Sequence, residues 1–466
     1  MQEKLYFYYT NDLHSNFDNW PQVAGFLKGA REKRLAENNS CWLVDIGDHV
    51  DRVHPIAEAF MGKANVQLMN DLGYDLATIG NNEGITMAHE DLHQLYDEAR
   101  FQVVCANLHS MTNTEPDWLQ STVHLHSNNG VKIGVIGLTT PFNAFYELLG
   151  WHITAPFHTL EKHISYLSES ADIIILMSHL GLTEDQEIAR RFDDIDVIIG
   201  GHTHHLLRSG EEVNNTIMTA AGKHCAYAGE VVLTWDHEQK KLVDKEASVY
   251  DMNAQASDLN TEQTLKDLAK KADDMLGQSI IELNEPIDIK WFKHTEIMQK
   301  LTETLQEWTD TDVAMLNAGI LLDQIPAGQV THKDIHRICP HPINPCVVEI
   351  DGDELTEIVR ASLTKDFTEL KLNGFGFRGE VLGKMIYAGI DVKTFLREDG
   401  SEYVDAIYFN GRPLEPDQSF KLATADTFTF GRLLPEIAKS EMKHYFVPEF
   451  LRDLLAYTLQ NKMADH

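Results

Sequence analysis

Asp12 and His14, Asp48, Asn81, His179, and His202 with His204 each stand just past the end of a short apolar run. Carboxylate, amide and imidazole groups are the oxygen and nitrogen donors that take divalent cations, and donors from five separate places in the chain are enough for a two-metal site. The first motif, YTNDLHSN, offers a carboxylate and an imidazole two residues apart. The second, DIGDHVD, has Gly47 for a tight turn and then Asp48, whose two oxygens can serve two ions. IGNNEGI supplies the amide oxygen of Asn81, MSHLG supplies His179, and IIGGHTHH alternates His202 and His204 so that they can address neighbouring ions. Any one of these motifs also fits an ordinary polar turn. Five in one order, all at the ends of apolar runs, point to a shared site.

Those runs cover residues 5–9, 42–46, 76–79, 173–177 and 197–199, and each is short and rich in branched or aromatic residues. They read as buried β-strands, and a sheet built from them gathers the residues just past each run along one edge, where open α/β sheets place their sites. Strand-like and helix-like segments alternate to about residue 205, for example 4–10, 21–38 and 41–45, which argues for a layered α/β domain. VVLTW and KLVDKEASVY, on either side of a polar turn at 236–240, read as a closing hairpin, so the first domain is expected to span 1–255. A linker helix is expected within 256–280, with Leu265, Leu268, Ala269, Ala272 and Leu276 on one face and an Asn260/Gln263 pair at its start. The remainder, 281–466, combines an amphipathic helix at 294–308 with strands at 347–350, 385–390 and 406–409, a mixed α and β domain.

At 466 residues the chain is long enough for two cores. A formal charge of −33 repels polyanions, so neither a nucleic-acid polymer nor an anionic membrane is expected as partner. A small phosphate ester is not excluded, because bound cations reverse the field locally. No apolar stretch reaches the roughly 18 residues that cross a bilayer, and the start runs directly into the first motif, so no signal peptide is expected. Cys41, Cys105, Cys225, Cys339 and Cys346 form no CxxC pair, as expected of reduced thiols in the cytoplasm. Oligomeric state is left open.

The ordered set ND-H, GD, GN, SH-G and GHTH resembles the calcineurin-like metallophosphoesterases. The TNDLH start, together with LNAGI, PINP and GFGF in the second half, resembles the two-domain 5′-nucleotidase family. The resemblance implies an α/β fold: a metallophosphoesterase layered β-sandwich flanked by helices, followed by a C-terminal mixed α+β domain of the 5′-nucleotidase type. It implies two divalent metal ions per chain, manganese, zinc, iron or cobalt. Asp12, His14, Asp48 and His204 would hold one, Asp48, Asn81, His179 and His202 the other, with Asp48 as the bridge. It also implies hydrolysis of a 5′-nucleotide, nucleotide sugar or related nucleotide phosphoester, by a hydroxide held on ions roughly 3.5 to 4 Å apart.

The chain departs from the family where GNHE reads GNNE. The family's histidine and aspartate, which steady the transition state or protonate the leaving oxygen, are here Asn82 and Ile85. Asn82 can still donate a hydrogen bond, and DHVDRVHP supplies His49, Asp51, Arg52 and His54 as substitutes, His49 and His54 first. Glu83 matches the family's glutamate and is expected to be structural. For the substrate, the resemblance implies Asn317 from NAGILL, where Leu321 replaces an arginine, and Arg378 as compensation. It further implies a base held between Phe375 or Phe377 on one face and Phe428 or Phe430 on the other. The losses at Asn82, Ile85 and Leu321 keep a second reading open, a nucleotide-binding or sensing protein with retained metals and little turnover.

Overall fold

The alternation of short apolar runs and amphipathic helices builds two β-sheets in the first half of the chain. A computed structural model describes residues 1–463 except Asn113, Asn373, Phe375, 399–401 and Arg432. It divides into two compact units, Met1–Ala272 and Asp273–His466. In the first unit the strands are β1 (Gln2–Thr10), β2 (Ser40–Asp45), β3 (Leu76–Ala77), β4 (Gln102–Val104), β5 (Leu108–Ser110), β6 (Leu119–Gln120), β7 (Thr122–His126) and β8 (Lys132–Thr139). They continue with β9 (Trp151–Ile153), β10 (Ile173–His179), β11 (Val197–Gly200), β12 (Glu211–Val213), β13 (Thr216–Thr219), β14 (Tyr227–Asp236) and β15 (Lys241–Asp251). One sheet has the order β15-β14-β1-β2-β3-β4-β6, the other β12-β13-β11-β10-β8-β7, and β5 pairs with β9 as a separate ribbon.

Within the first sheet β1, β2, β3, β4 and β6 run parallel, and within the second β8, β10, β11 and β13 do. Their carboxyl ends therefore share an edge. Alternation along each strand sends Phe7, Tyr9, Val44 and Ile46 of the first sheet, and Ile133, Val135, Ile175, Met177, Val197 and Ile199 of the second, into one common core. The opposite face of the second sheet, including Ile136, Leu138, Ile174, Leu176 and Ile198, packs beneath Leu160, Ile164 and Leu167 of a helix over Pro156–Ser170. This is a layered sandwich flanked by helices. The closing hairpin is β14 with β15, and β14 pairs antiparallel with β1.

A helix over Leu259–Leu276 carries the boundary between the units, which falls after Ala272. Its start is closed by Asp258, whose Oδ1 accepts the Thr261 N–H and hydroxyl, both at 2.8 Å, and not by the expected Asn260/Gln263 pair. An aspartate one residue outside the periodic pattern is the better acceptor for the exposed first-turn donors. The second unit centres on a five-stranded sheet in the order Met385–Ala388, Val313–Asn317, Ser419–Ala425, Pro345–Asp351, Lys443–Tyr445. The expected strand at 385–390 is broken at Gly389, and Ile390–Leu396 pairs into a separate three-stranded sheet. No helix among the described residues is long and apolar enough to cross a membrane.

The two sheets of the first unit meet closely at Gly137 of β8, where a Cβ would run into the Val104 carbonyl and lie 2.8 Å from Thr78 Oγ1. Gly137→Ala is expected to lower the stability of the first unit by about 1 to 3 kcal/mol through overpacking. Gly29→Ala, in the helix Trp20–Ala36 with nothing within 4 Å of the added methyl, is expected to raise it by about 0.5 to 1 kcal/mol. Chemical denaturation of the two variants checks both signs.

Candidate metal centre

Five turns at the shared strand edge bring the sequence-nominated donors together. Asp12 and His14 follow β1, Asp48 follows β2, Asn81 opens a short helix over Asn81–Ile85 after β3, His179 ends β10, and His202 and His204 follow β11. Ligand atoms of Asp12, His14 and His204 lie within 4.8 Å of one another, and so do those of Asp48, His179 and His202. Asp48 faces both groups: its Oδ1 is 3.4 Å from His179 Nε2 and its Oδ2 is 3.7 Å from His14 Nε2. His14 and His204 meet Nε2 to Nε2 at 3.0 Å, with Asp12 Oδ1 3.5 Å from His204. Asn81 Oδ1 lies 2.8 Å from His202 Nδ1.

The backbone reaches this convergence by turning sharply. Asp12 (φ 51°), His14 (φ 51°), Asp48 (φ 49°), His202 (φ 70°) and His204 (φ 58°) all occupy the left-handed region. That conformation costs an L residue on the order of 1 kcal/mol or more, and it persists only where surrounding structure enforces it. The enforcement is visible. Asp12 N–H donates to the Gly47 carbonyl at 3.1 Å, His14 N–H to the Asp48 carbonyl at 2.8 Å, and His202 N–H to Asp12 Oδ1 at 3.0 Å.

Glu83 locks the second and third turns to each other. Its buried carboxylate accepts N–H groups from Asp48 (3.0 Å), Val50 (2.8 Å) and Gly80 (3.0 Å). Burial, and then the neighbouring Asp48 carboxylate, push Glu83 up to about 7. Second partners also fix the imidazoles. His179 Nδ1 donates to the Ile46 carbonyl at 2.7 Å, and Asp51 Oδ2 stands 3.3 Å from His14 Nδ1. Both arrangements leave Nε2 as the nitrogen aimed inward, the outer-shell pattern of metal-binding histidines.

These residues fit a bound cation. Asp12 and Asp48 are buried, and their ion-pair partners among the described residues are histidines, with no lysine or arginine. Among the described residues His179 Nε2 is buried without a hydrogen bond, and His14 faces His204 lone pair to lone pair unless a proton or ion sits between them. Two buried carboxylates without a cation would cost several kcal/mol each. Burial lowers His202 to about 4 and His204 to about 3, so both imidazoles are neutral near pH 7, the state in which a cation is bound. Burial also disfavours the His179 imidazolium, but Asp48 outweighs it and raises this group to about 10.

The other candidates are placed unevenly. Asn82 reaches the centre: its N–H donates to Asp48 Oδ1 at 2.8 Å and its Nδ2 lies 2.8 Å from His14 Nδ1. His49 turns inward, its ring 5.0 Å from Trp20 and its Nδ1 3.1 Å from Asn65, and burial lowers it to about 3. His54 caps the helix Pro55–Phe60, accepting the Ile56 N–H at 3.2 Å. Of the two histidines expected first as proton donors, one is thus packed in the interior and the other caps a helix. Arg52 is held by Glu58 and the Thr86 carbonyl.

In the second unit Asn317 is buried and donates to the Leu382 carbonyl at 2.8 Å, which makes it a loop anchor. Phe428 is 0% exposed against Phe367, and Phe377 is 3% exposed and stacked 5.2 Å from His341, so neither ring offers a face to a base. Phe430 is half-buried beside Tyr445, Arg378 is exposed, and Phe375 lies outside the described residues. Two residues at the centre went unnamed in the sequence. His224 follows β13, its ring 5.9 Å from His14, and its N–H donates to the Asp12 carbonyl at 2.8 Å. Phe142 follows β8, its ring 5.8 Å from His202. Both stand past the carboxyl ends of parallel strands, the same signal that marked the other donors.

Residues 5–206 match the family model of calcineurin-like phosphoesterases, and residues 277–432 match that of the 5′-nucleotidase C-terminal domain. An uncharacterised metallophosphoesterase of Bacillus subtilis, YunD, is 42% identical over 461 residues, covering 98% of this chain and 100% of its own. A 5′-nucleotidase of Vibrio parahaemolyticus is 24% identical over 426 residues, covering 78% of this chain and 75% of its own. Among solved structures, a putative 5′-nucleotidase of Staphylococcus aureus in complex with α-ketoglutarate shares the fold at a TM-score of 0.72 and 19% identity, covering 99% of this chain and 98% of its own.

Two outcomes are expected from this geometry. Glu83→Gln, which touches no candidate ligand atom of the two groups, is expected to destabilise the first unit by about 2 kcal/mol and to lower its metal content, read by thermal denaturation and elemental analysis. Asp48 raises His179 to about 10, so an ion taken at its Nε2 would displace a proton. Affinity should rise with pH from 6 to 9, and calorimetry in buffers of different ionisation enthalpy should show net proton release.

Proposed function

The chain belongs to the calcineurin-like metallophosphoesterases that carry a 5′-nucleotidase C-terminal domain, a family of metal-dependent phosphoester hydrolases, and from that premise we propose that it hydrolyses a nucleotide phosphoester at a two-metal site. The observation that carries this reading is the pair of donor groups, Asp12–His14–His204 and Asp48–His179–His202, with one oxygen of Asp48 directed at each. Asn81 joins the second group through its contact with His202. Two divalent ions there, of manganese, zinc, iron or cobalt, would supply Lewis acidity toward a phosphoryl oxygen and make a water acidic enough to attack near neutral pH. The Vibrio relative, a 5′-nucleotidase, supports a nucleotide as the substrate. Free cysteines, four of them buried, support a reducing, cytoplasmic setting.

The residues around the ions set the chemistry open to the site. Asn82, whose backbone N–H is held by Asp48 Oδ1 and whose Nδ2 stands beside His14, offers amide hydrogens to a phosphoryl oxygen but no acidic proton to a leaving oxygen. Asp51 and the Ile46 carbonyl hold His14 and His179 in their tautomers, and Glu83 holds Asp48 in place. A binding protein without turnover has no use for two adjacent groups of converging lone pairs, so hydrolysis is the better account. Without a general acid at positions 82 and 85, esters with good leaving groups are favoured.

The test is phosphate release by metal-stripped protein resupplied with each metal. Turnover should require metal and fall by at least about 10³-fold in Asp48→Ala. Asn82→His should raise kcat/KM on esters with poor leaving groups by about tenfold or more, and less on activated aryl esters. Absence of metal-dependent phosphate release from every nucleotide and aryl ester would overturn the proposal.

A further inference from the structure

Thr139, the last residue of β8, is the register partner of His179, so the segment after β8 leaves the sheet beside the second donor group. Three residues on, Phe142 is 40% exposed, with its ring centroid 5.8 Å from that of His202 and the planes at 59°. A lone exposed phenylalanine is ordinary on a surface. This one has a rigid mount. The Phe142 carbonyl accepts the N–H groups of Phe145 at 2.9 Å and Tyr146 at 3.1 Å, which closes a one-turn helix over Asn143–Tyr146. Asn143 fastens that turn to β9 from both ends of its amide, donating to the Ile153 carbonyl at 2.9 Å and accepting the Ile153 N–H at 2.8 Å.

Tyr146 completes the mount. It is fully buried, and its ring lies so close to Gly84 that a Cβ there would run into the Tyr146 hydroxyl. Gly84 belongs to the helix Asn81–Ile85, whose first residue contacts His202 and whose second contacts Asp48 and His14. The ring of Phe142 and the donor groups are therefore fixed by the same element. Holding an apolar ring half in water on a rigid support, against an edge otherwise lined by polar donors, gains nothing for folding. It does create a flat apolar wall beside the place where a phosphate would sit.

We propose that Phe142 is a specificity-determining residue whose exposed face receives a planar aromatic group carried by the leaving oxygen of the phosphate ester. The inference rests on the phosphoesterase reading above and names what the first unit would recognise in the substrate, a nucleobase or another aryl ring. Ring-on-ring contact prefers offset or edge-to-face geometry and tolerates different bases, so the wall selects for planarity over base identity. It also places aromatic recognition within the first unit, where Phe377 and Phe428 of the second unit are closed to a ligand.

The test uses the full metal-loaded chain with three esters: adenosine 5′-monophosphate, phenyl phosphate and ring-free glycerol 3-phosphate. Phe142→Ala should lower kcat/KM for at least one ring-bearing ester by about tenfold relative to glycerol 3-phosphate, and Phe142→Trp should restore the preference. A fall on the nucleotide identifies a base as the stacked ring; a fall on phenyl phosphate alone identifies a smaller aryl group. Equilibrium dialysis of the preferred ring ester against chelator-treated protein should weaken by a similar factor in Phe142→Ala. Equal losses on all three esters, or a ring preference unchanged by Phe142→Ala, would overturn the inference while leaving the hydrolase standing. No metal-dependent turnover of any ester would overturn both.

Discussion

Two buried carboxylates whose ion-pair partners are histidines, with no lysine or arginine among the described residues, set the terms for the first unit. Asp12 and Asp48 are enclosed at the sheet edge among imidazoles and other acids, and each additional acceptor raises the electrostatic cost of keeping them there. The fold meets that cost with geometry that makes sense only around positive charge. Donor lone pairs from five turns converge, while the nitrogens that would point elsewhere are tied to a backbone carbonyl or a further carboxylate. The left-handed backbone at Asp12, His14, Asp48, His202 and His204 shows how much local conformation is subordinated to this convergence. Five residues at on the order of 1 kcal/mol each approach the net stability of a typical domain.

What sustains that strain is the sandwich beneath it. Parallel strands from both sheets end at one edge, their alternate residues share a core, and the turns are cross-braced by backbone hydrogen bonds from Asp12, His14 and His202. Glu83 is the most economical brace, for one carboxylate fixes three N–H groups from two turns. Under the proposed function, activity then depends on residues that never meet a substrate. A loosened brace leaves the candidate donors in the chain but not in register.

The sequence was most legible where periodicity and chemistry coincide. The runs at 5–9, 42–46, 173–177 and 197–199 lie within or across the observed strands because branched and aromatic side chains suit a sheet buried on both faces. The strand-end donors come directly from that reading. Less legible was the direction of each side chain. His49 sits next to Asp48 in sequence, but the left-handed turn at Asp48 sends it toward Trp20, and His54 is consumed as a helix cap. Phe377 and Phe428 look like surface aromatics in Gly- and Thr-rich segments, and tertiary packing encloses them. Phe142 and His224 obeyed the same strand-end rule as the ligands but were missed, because a phenylalanine is not a metal donor and GKHC comes after a strand whose polar end obscures the pattern.

Whether the strained edge exists to hold cations decides between a metal centre and an ordinary polar cleft. The direct measurement is metal content of the purified chain by elemental analysis, paired with its melting temperature before and after chelation. Two divalent ions per chain, with a melting temperature that drops on chelation and recovers on resupply, is the predicted result. A chain that binds no divalent ion and melts identically with and without chelator would contradict it.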